Sequence, residues 1–266
     1  MKLPDFMRLN RDRVISPSIL DSTSPRQRTA AALVGPEHIY NQDGLRSVHN
    51  HEFMDDPAFQ SAYLRGVEAT RGRDYAWHWR VHVGIWAAQT AVGLKGDFVE
   101  CGVGRGFLSS AIMHYLDWNR TGRQFYLLDT FTGLDPQSAS KKEIAATNFF
   151  YEDDLDAAHK NFSEWPNTKI IVGSIPTTLS EIDTKAIAYL HPDMNNRPPE
   201  VAALIYLWDR ITPGAPILLD DYAYHGYRDQ KLGIDEFAGQ MGVPVLSLPT
   251  GQGLLIKPSQ APSLPR

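Results

Sequence analysis

The chain has 266 residues, 42% hydrophobic and 21% charged, with a formal net charge of −5. That length and apolar fraction suit one large α/β domain or two small ones and exclude a disordered chain, while the negative balance offers no electrostatic grip on nucleic acid or anionic lipid. A single cysteine, Cys101, excludes an intramolecular disulfide and a multi-cysteine zinc site, and no apolar run reaches the roughly 20 residues of a membrane span. The expected partner is therefore a small molecule or a protein. With no secretory signal in MKLPDFMRLNRDR, the expected compartment is the cytoplasm.

Residues 1–74 are polar and interrupted by Pro4, Pro17, Pro25, Pro36 and Pro57. They are expected to form a partly irregular arm or lid with short helices, and to offer a contact for a homodimer. His49-Asn50-His51 matches a nuclease signature in letters only, because neither cysteines nor a basic surface accompany it. From Tyr75 a regular pattern begins. Trp77, Val81, Ile85, Trp86, Ala88 and Val92 recur at helical spacing. Gly96 ends that helix, and DFVEC follows as a buried strand running into a glycine turn. A helix over Leu108 to Asp117 and a strand at QFYLLD come next. The alternation continues with a helix from Glu152 to Glu164, strands at KIIVG and AIAYL, a helix from Pro199 to Arg210, a strand at PILLD and a helix from Tyr227 to Met241.

Alternating strands and helices predict a mostly parallel sheet with helices on both faces. VPVLSLPTGQGLLIKP reads as two strands joined by a tight turn, so the seven-stranded sheet ends in an antiparallel hairpin. The expected fold class is therefore α/β, Rossmann-like, of the class I methyltransferase kind; nicotinamide-binding Rossmann domains finish in a parallel strand. The domain is expected over 75–258, with a tail at 259–266.

Glu100-Cys-Gly-Val-Gly-Arg-Gly106 lies where the first strand of this domain should turn into its helix. Gly102, Gly104 and Gly106 allow a sharp turn and a close approach to a ligand near a helix N-terminus. Asp129 ends the next strand, where a carboxylate can accept from both ribose hydroxyls of a nucleoside cofactor; the bland alternative is a helix-capping aspartate. A dinucleotide fits the same two features. Glu100, the late position of the motif and the terminal hairpin favour S-adenosylmethionine. Cys101 reads as a small buried hydrophobe. Two alternatives stand beside a methyltransferase: a nicotinamide-dependent oxidoreductase, and a binding protein on a methyltransferase fold that performs no chemistry.

GDFVECGVGRG, LLDTFTGL and the DDY after PILL resemble the macrocin O-methyltransferase family, sugar-modifying enzymes of antibiotic pathways, over about Tyr75 to Lys257. The resemblance implies O-methylation of a small hydroxylated acceptor, a sugar or glycosylated metabolite being favoured. It implies S-adenosylmethionine held by Glu100, Gly102, Gly104, Gly106, Ser109 and Asp129, with Gly173 and Ser174 beside the adenine.

Methyl transfer from a sulfonium requires alignment and a nucleophilic hydroxyl. Two clusters at strand ends can serve it: Leu190-His-Pro-Asp193 and Asp220-Asp221-Tyr222. Adjacent carboxylates call for a cation or a proton, and Mg²⁺ or Mn²⁺ there would chelate the acceptor. The resembled family carries an Asp-x-Asp at the first cluster, which makes Asp193 the general base and Asp220 and Asp221 metal ligands. Here the chain departs, because His191 stands where the first ligand should be. Imidazole suits Mn²⁺ better than Mg²⁺; His191 can alternatively be the base, or cap a strand end. Tyr222, Tyr224, His225 and Tyr227 form either a lid or a ring-packed surface loop. Asn195, Asn196 and Arg197 are acceptor contacts or turn residues. Arg71, Arg73 and Arg80 read as solvated.

Overall fold

The computed structural model describes residues 39–136, 144 and 155–259. The chain divides into two compact units, Met1–Glu52 and Phe53–Arg266. In the first, β1 (Tyr40–Gln42) and β2 (Leu45–Ser47) pair antiparallel across Asp43-Gly44, both at positive φ. A two-residue hairpin of this kind needs left-handed residues to match strand twist, which Asp-Gly supplies. Beyond it, the Asn50 side chain accepts from the Glu52 N–H at 2.7 Å, so the His-Asn-His letters mark a turn.

The second unit opens with α1 (Pro57–Ala69). Asp56 caps it, accepting from the N–H groups of Ala58 and Phe59 at 2.8 and 2.9 Å, and Pro57 sits where a missing N–H costs nothing. A thirteen-residue helix thus lies within the stretch expected to hold only short ones. Proline there starts a helix rather than breaking one. In α2 (His78–Val92) the buried face is Val81, Gly84, Ile85, Ala87, Ala88 and Ala91. Trp86 and Val92, expected on that stripe, are 49% and 37% exposed. Small residues line the face instead, since a Cβ on Gly84 would stand 2.6 Å from the Leu108 side chain.

Next come β3 (Asp97–Cys101), α3 (Phe107–Tyr115), β4 (Phe125–Asp129), α4 (Leu155–Phe162), β5 (Thr168–Val172) and β6 (Ile187–Pro192). The start of the helix expected from Glu152 falls outside the described residues. The chain continues through α5 (Arg197–Leu207), β7 (Pro216–Leu219), α6 (Arg228–Met241), β8 (Leu246–Ser247) and β9 (Gly253–Ile256). The seven strands run in the order β5-β4-β3-β6-β7-β9-β8. The first five pair in parallel, and β9 and β8 are antiparallel.

Side chains alternate between the two faces with the period of two that a strand imposes. Val99, Cys101, Leu190, Ile217 and Leu219 pack with α5 and α6. Phe98, Tyr189 and Leu218 pack with α1 to α4. Each large apolar side chain so buried contributes roughly 1.5–3 kcal/mol. The same alternation assigns Glu100 and His191, two residues beyond Phe98 and Tyr189, to the face covered by α2. Among the described residues, no helix is long and apolar enough to cross a membrane.

Candidate active site

The switch in connection direction between β3 and β6 opens a crevice at their carboxyl ends, the place where open α/β sheets take ligands. A cavity there is lined by Gly102, Asp129, Gly173, Ser174, Asp193 and Asn196, among others. Five residues expected at the site from sequence, Gly102, Asp129, Gly173, Ser174 and Asp193, therefore line one cavity.

The three glycines of the turn differ in what they do. Gly102 has φ +94°, and a Cβ on it would meet the Asp193 carbonyl at 1.8 Å. Its smallness lets the loop after β6 cross the turn, where the Asp193 N–H donates to the Cys101 carbonyl at 2.7 Å. Gly106 has φ +79° and makes room for the Phe162 ring, 2.2 Å from where its Cβ would be. Only Gly104 faces open space. Its N–H donates to Asp129 Oδ2 at 2.7 Å, while the Phe131 N–H donates to Oδ1 at the same distance. Burial pushes the Asp129 carboxyl up against the pull of these two bonds. Ser109 is fully buried within α3 and does not line the cavity. Cys101 is fully buried as well, and burial pushes its thiol up.

A second group of polar side chains lies beside the cavity. Glu100 and His191 stand side by side in the register of β3 and β6, and His191 Nδ1 is 3.0 Å from Glu100 Oε1. His191 Nε2 faces Asp220 Oδ1 at 3.9 Å, an ion-pair separation too long for a hydrogen bond. Burial pushes the His191 imidazole down, but the carboxylates of Asp220 and Glu100 override it and hold its pKa at about 10. Asp193 is raised well above the carboxylate range, by burial first and by the charge of Asp220 second. Asp220 behaves oppositely: burial pushes it up, and the Arg80 guanidinium and His191 together bring it down to about 2.

Arg80, read as solvated, is the main correction to the sequence reading. Its Nη1 lies 2.7 Å from Asp220 Oδ2 and 2.9 Å from Asp221 Oδ1, and its side chain is only 12% exposed. One signal pointed to it. Arg80 is in the first turn of α2, where the helix dipole disfavours a cation, so something outside the helix must hold it there. Of the expected metal ligands, His191 Nε2 lies 3.9 Å from Asp220 Oδ1, and Asp220 and Asp221 both face this guanidinium. Among the described residues, no group of three or more histidine, cysteine or acidic side chains is arranged to hold a metal ion.

Two further residues carried no sequence signal. Gln252, fully buried in the turn between β8 and β9, donates from Nε2 to Asp220 Oδ1 at 3.1 Å. Glu200, fully buried in the first turn of α5, accepts at Oε1 from the N–H groups of Met194 and Asn195 at 3.0 and 3.1 Å. It thereby fixes the loop that carries Asp193. Burial raises its carboxyl to about 8 in spite of those bonds.

The aromatic run after β7 splits. Tyr222 is core, its hydroxyl donating to Asp235, while Tyr224 is exposed. Burial and the charges of Asp221 and Asp193 push the Tyr227 phenol up, so it keeps its proton. Arg197 turns away from the cavity and pairs with Asp229 and Glu236. Phe131, Asn195 and Asp221, one after each of β4, β6 and β7, adopt left-handed backbone. Such residues cost about 1–3 kcal/mol each and cluster at ligand sites.

The comparisons with known proteins bear on this arrangement. Residues 85–244 match the macrocin-O-methyltransferase (TylF) family. A curated relative from Streptomyces olivaceus, 8-demethyl-8-(2,3-dimethoxy-alpha-L-rhamnosyl)-tetracenomycin-C 4'-O-methyltransferase, is 25% identical over 167 residues, 58% of this chain. The match covers 62% of that relative's length. Among solved structures, the O-methyltransferase NovP superimposes with a TM-score of 0.58 at 19% identity, over 68% of this chain and 80% of that one. CalS11, a calicheamicin methyltransferase, does so with a TM-score of 0.55 at 14% identity, over 79% and 94%. At these identities the two structures establish a shared Rossmann-like methyltransferase fold. The family match decides against the nicotinamide oxidoreductase alternative: the chain belongs to the macrocin-O-methyltransferase (TylF) family.

Proposed function

We propose that this protein is an S-adenosylmethionine-dependent O-methyltransferase whose acceptor is a sugar hydroxyl on a glycosylated metabolite. One observation carries the reading: a single cavity is lined both by the cofactor-type residues Gly102, Asp129, Gly173 and Ser174 and by Asp193, the candidate base. The acceptor class is taken from the relative named for 4'-O-methylation of a rhamnosyl-tetracenomycin.

S-adenosylmethionine, when bound, supplies a methyl group made electrophilic by its sulfonium. The turn from Gly102 to Gly106 and the Asp129 carboxylate would hold its nucleoside. Each Asp129 oxygen accepts one backbone N–H and the Thr130 hydroxyl also approaches Oδ1 at 3.4 Å; a carboxylate has about four acceptor positions, so capacity remains on Oδ2 for a ribose hydroxyl. Gly173 and Ser174 would lie beside the adenine. Asp193 takes the proton of the acceptor hydroxyl. Its burial and the charge of Asp220 raise its proton affinity above that of an ordinary carboxylate. Glu100 anchors His191, and His191 in turn faces Asp220.

Calorimetric titration with S-adenosylhomocysteine tests the cofactor, with NADH as control. Wild type and Asp193→Asn are both expected to bind it with micromolar affinity. Methylation of rhamnosylated acceptors, followed by mass spectrometry, should fall at least about 100-fold in the variant. Full turnover in Asp193→Asn would remove that residue from the chemistry. Binding of NADH alone would sink the cofactor assignment.

A further inference from the structure

Two neighbouring carboxylates at a strand end need a positive charge beside them, and the family resemblance supplies it as a divalent metal. The donor set of this chain does not fit that metal. The position of the first acidic ligand is His191, whose Nδ1 is held by Glu100 at 3.0 Å and whose Nε2 faces Asp220 Oδ1 at 3.9 Å, and an imidazole nitrogen is a poor ligand for a hard, oxygen-seeking cation such as Mg²⁺. Asp220 Oδ1 accepts from Gln252 at 3.1 Å. The remaining Asp220 oxygen, Oδ2, and Asp221 Oδ1 converge on one nitrogen of Arg80, at 2.7 and 2.9 Å.

We propose that Arg80 takes the place of the divalent cation: its guanidinium is a built-in charge that bridges Asp220 and Asp221, so the acceptor end of the site is organised without a metal. Arg80 is then a positioning residue, acting through the aspartates.

The guanidinium is seated from several sides. Its Cζ lies 5.8 Å from the centre of the Trp77 ring, so the residue that caps α2 also flanks it. Gly251, with φ +86°, lies beneath its other terminal nitrogen, and a Cβ there would be 3.2 Å from Nη2. The terminal hairpin therefore contributes both Gly251, which leaves room for the arginine, and Gln252, which binds the same aspartate. Arginine suits the task because a single terminal nitrogen, with its two N–H groups, reaches both carboxylates and the guanidinium keeps its charge at every working pH.

The inference rests on the methyltransferase reading, but its test uses neither cofactor nor acceptor. The full chain is titrated with Mn²⁺ alone by calorimetry, comparing wild type with Arg80→Met, which keeps much of the side-chain bulk and removes the charge. Wild type is expected to show no saturable binding up to about 1 mM, and Arg80→Met to gain a site at least about tenfold tighter, formed by the vacated aspartates. Saturable Mn²⁺ binding by wild type would overturn the proposal, and so would an Arg80→Met protein that is folded but equally blind to the metal. Should Arg80→Met not fold, the wild-type titration alone decides. S-adenosylhomocysteine affinity is the separate readout for the cofactor reading, so the two can fail independently.

Discussion

Replacing Glu200 by glutamine exchanges one carboxyl oxygen for an amide NH2 at almost constant volume, which makes it a probe of the loop that carries Asp193. Glu200 is fully buried, its Oε1 accepts two backbone N–H groups, and its Oε2 has no hydrogen-bond partner among the described residues. Burial moves its carboxyl from 4.5 to about 8. In the unfolded chain the group ionises near 4.5, whereas the folded protein holds the proton until about 8. The stabilising proton is fully present below the unfolded value and lost as pH rises through the folded one. At about 1.4 kcal/mol per pH unit, wild type forfeits on the order of 5 kcal/mol across that window relative to a group that does not titrate. Glutamine keeps the Oε1 acceptor and does not ionise. The stability of Glu200→Gln relative to wild type is therefore expected to rise by several kcal/mol between pH 5 and pH 8, on the order of 10 °C in melting temperature for a chain of this size. Urea melts of both proteins at half-unit pH intervals measure it. A difference that stays flat to within about 1 kcal/mol across that range would refute the buried, protonated Glu200.

The glycine turn and Asp129 give sharper contrasts. Gly102→Ala puts a methyl group 1.8 Å from the Asp193 carbonyl in a left-handed backbone, whereas Gly104→Ala meets no atom within 4 Å. The first should lose upwards of about 4 kcal/mol of stability, and the second only the left-handed penalty of about 1–2 kcal/mol. Thermal melts that rank the two variants equally would contradict the assignment of Gly102 to packing. Asp129→Asn keeps the shape of the carboxylate but replaces one acceptor with a donor. It should weaken S-adenosylhomocysteine binding by about 10–100-fold through the ribose hydroxyls, and unchanged affinity in calorimetry would move the ribose elsewhere.

The order of elements is legible because it depends on local periodicity. Strands such as DFVEC and PILL are short apolar runs beside glycine, the helices between them carry a 3.6-residue stripe, and the last hairpin carries its own turn residues. Where local pattern misled, packing had overridden it. Trp86 and Val92 fit the helical spacing yet are exposed, while the buried face of α2 is mostly glycine and alanine beside Val81 and Ile85, with Gly84 giving close approach to Leu108 of α3. Pro57 counts as a breaker in composition and as a starter beside Asp56.

The sequence by itself determined the Rossmann-like alternation, the antiparallel ending, the glycine turn and the acids at the strand ends. Each of these is a pattern spanning a few residues, enforced by backbone geometry. The tertiary structure alone decided what the acids face. Arg80 and Asp220 are 140 residues apart, and Glu100 and His191 are 91 apart. No spacing rule links such pairs, since Glu100 and His191 meet through the register of β3 on β6 and Arg80 and Asp220 through the packing of α2 against β7. Those long-range contacts gave the aspartates an arginine and the histidine a glutamate. The acids are written in the chain, and the charge that answers them comes from the fold.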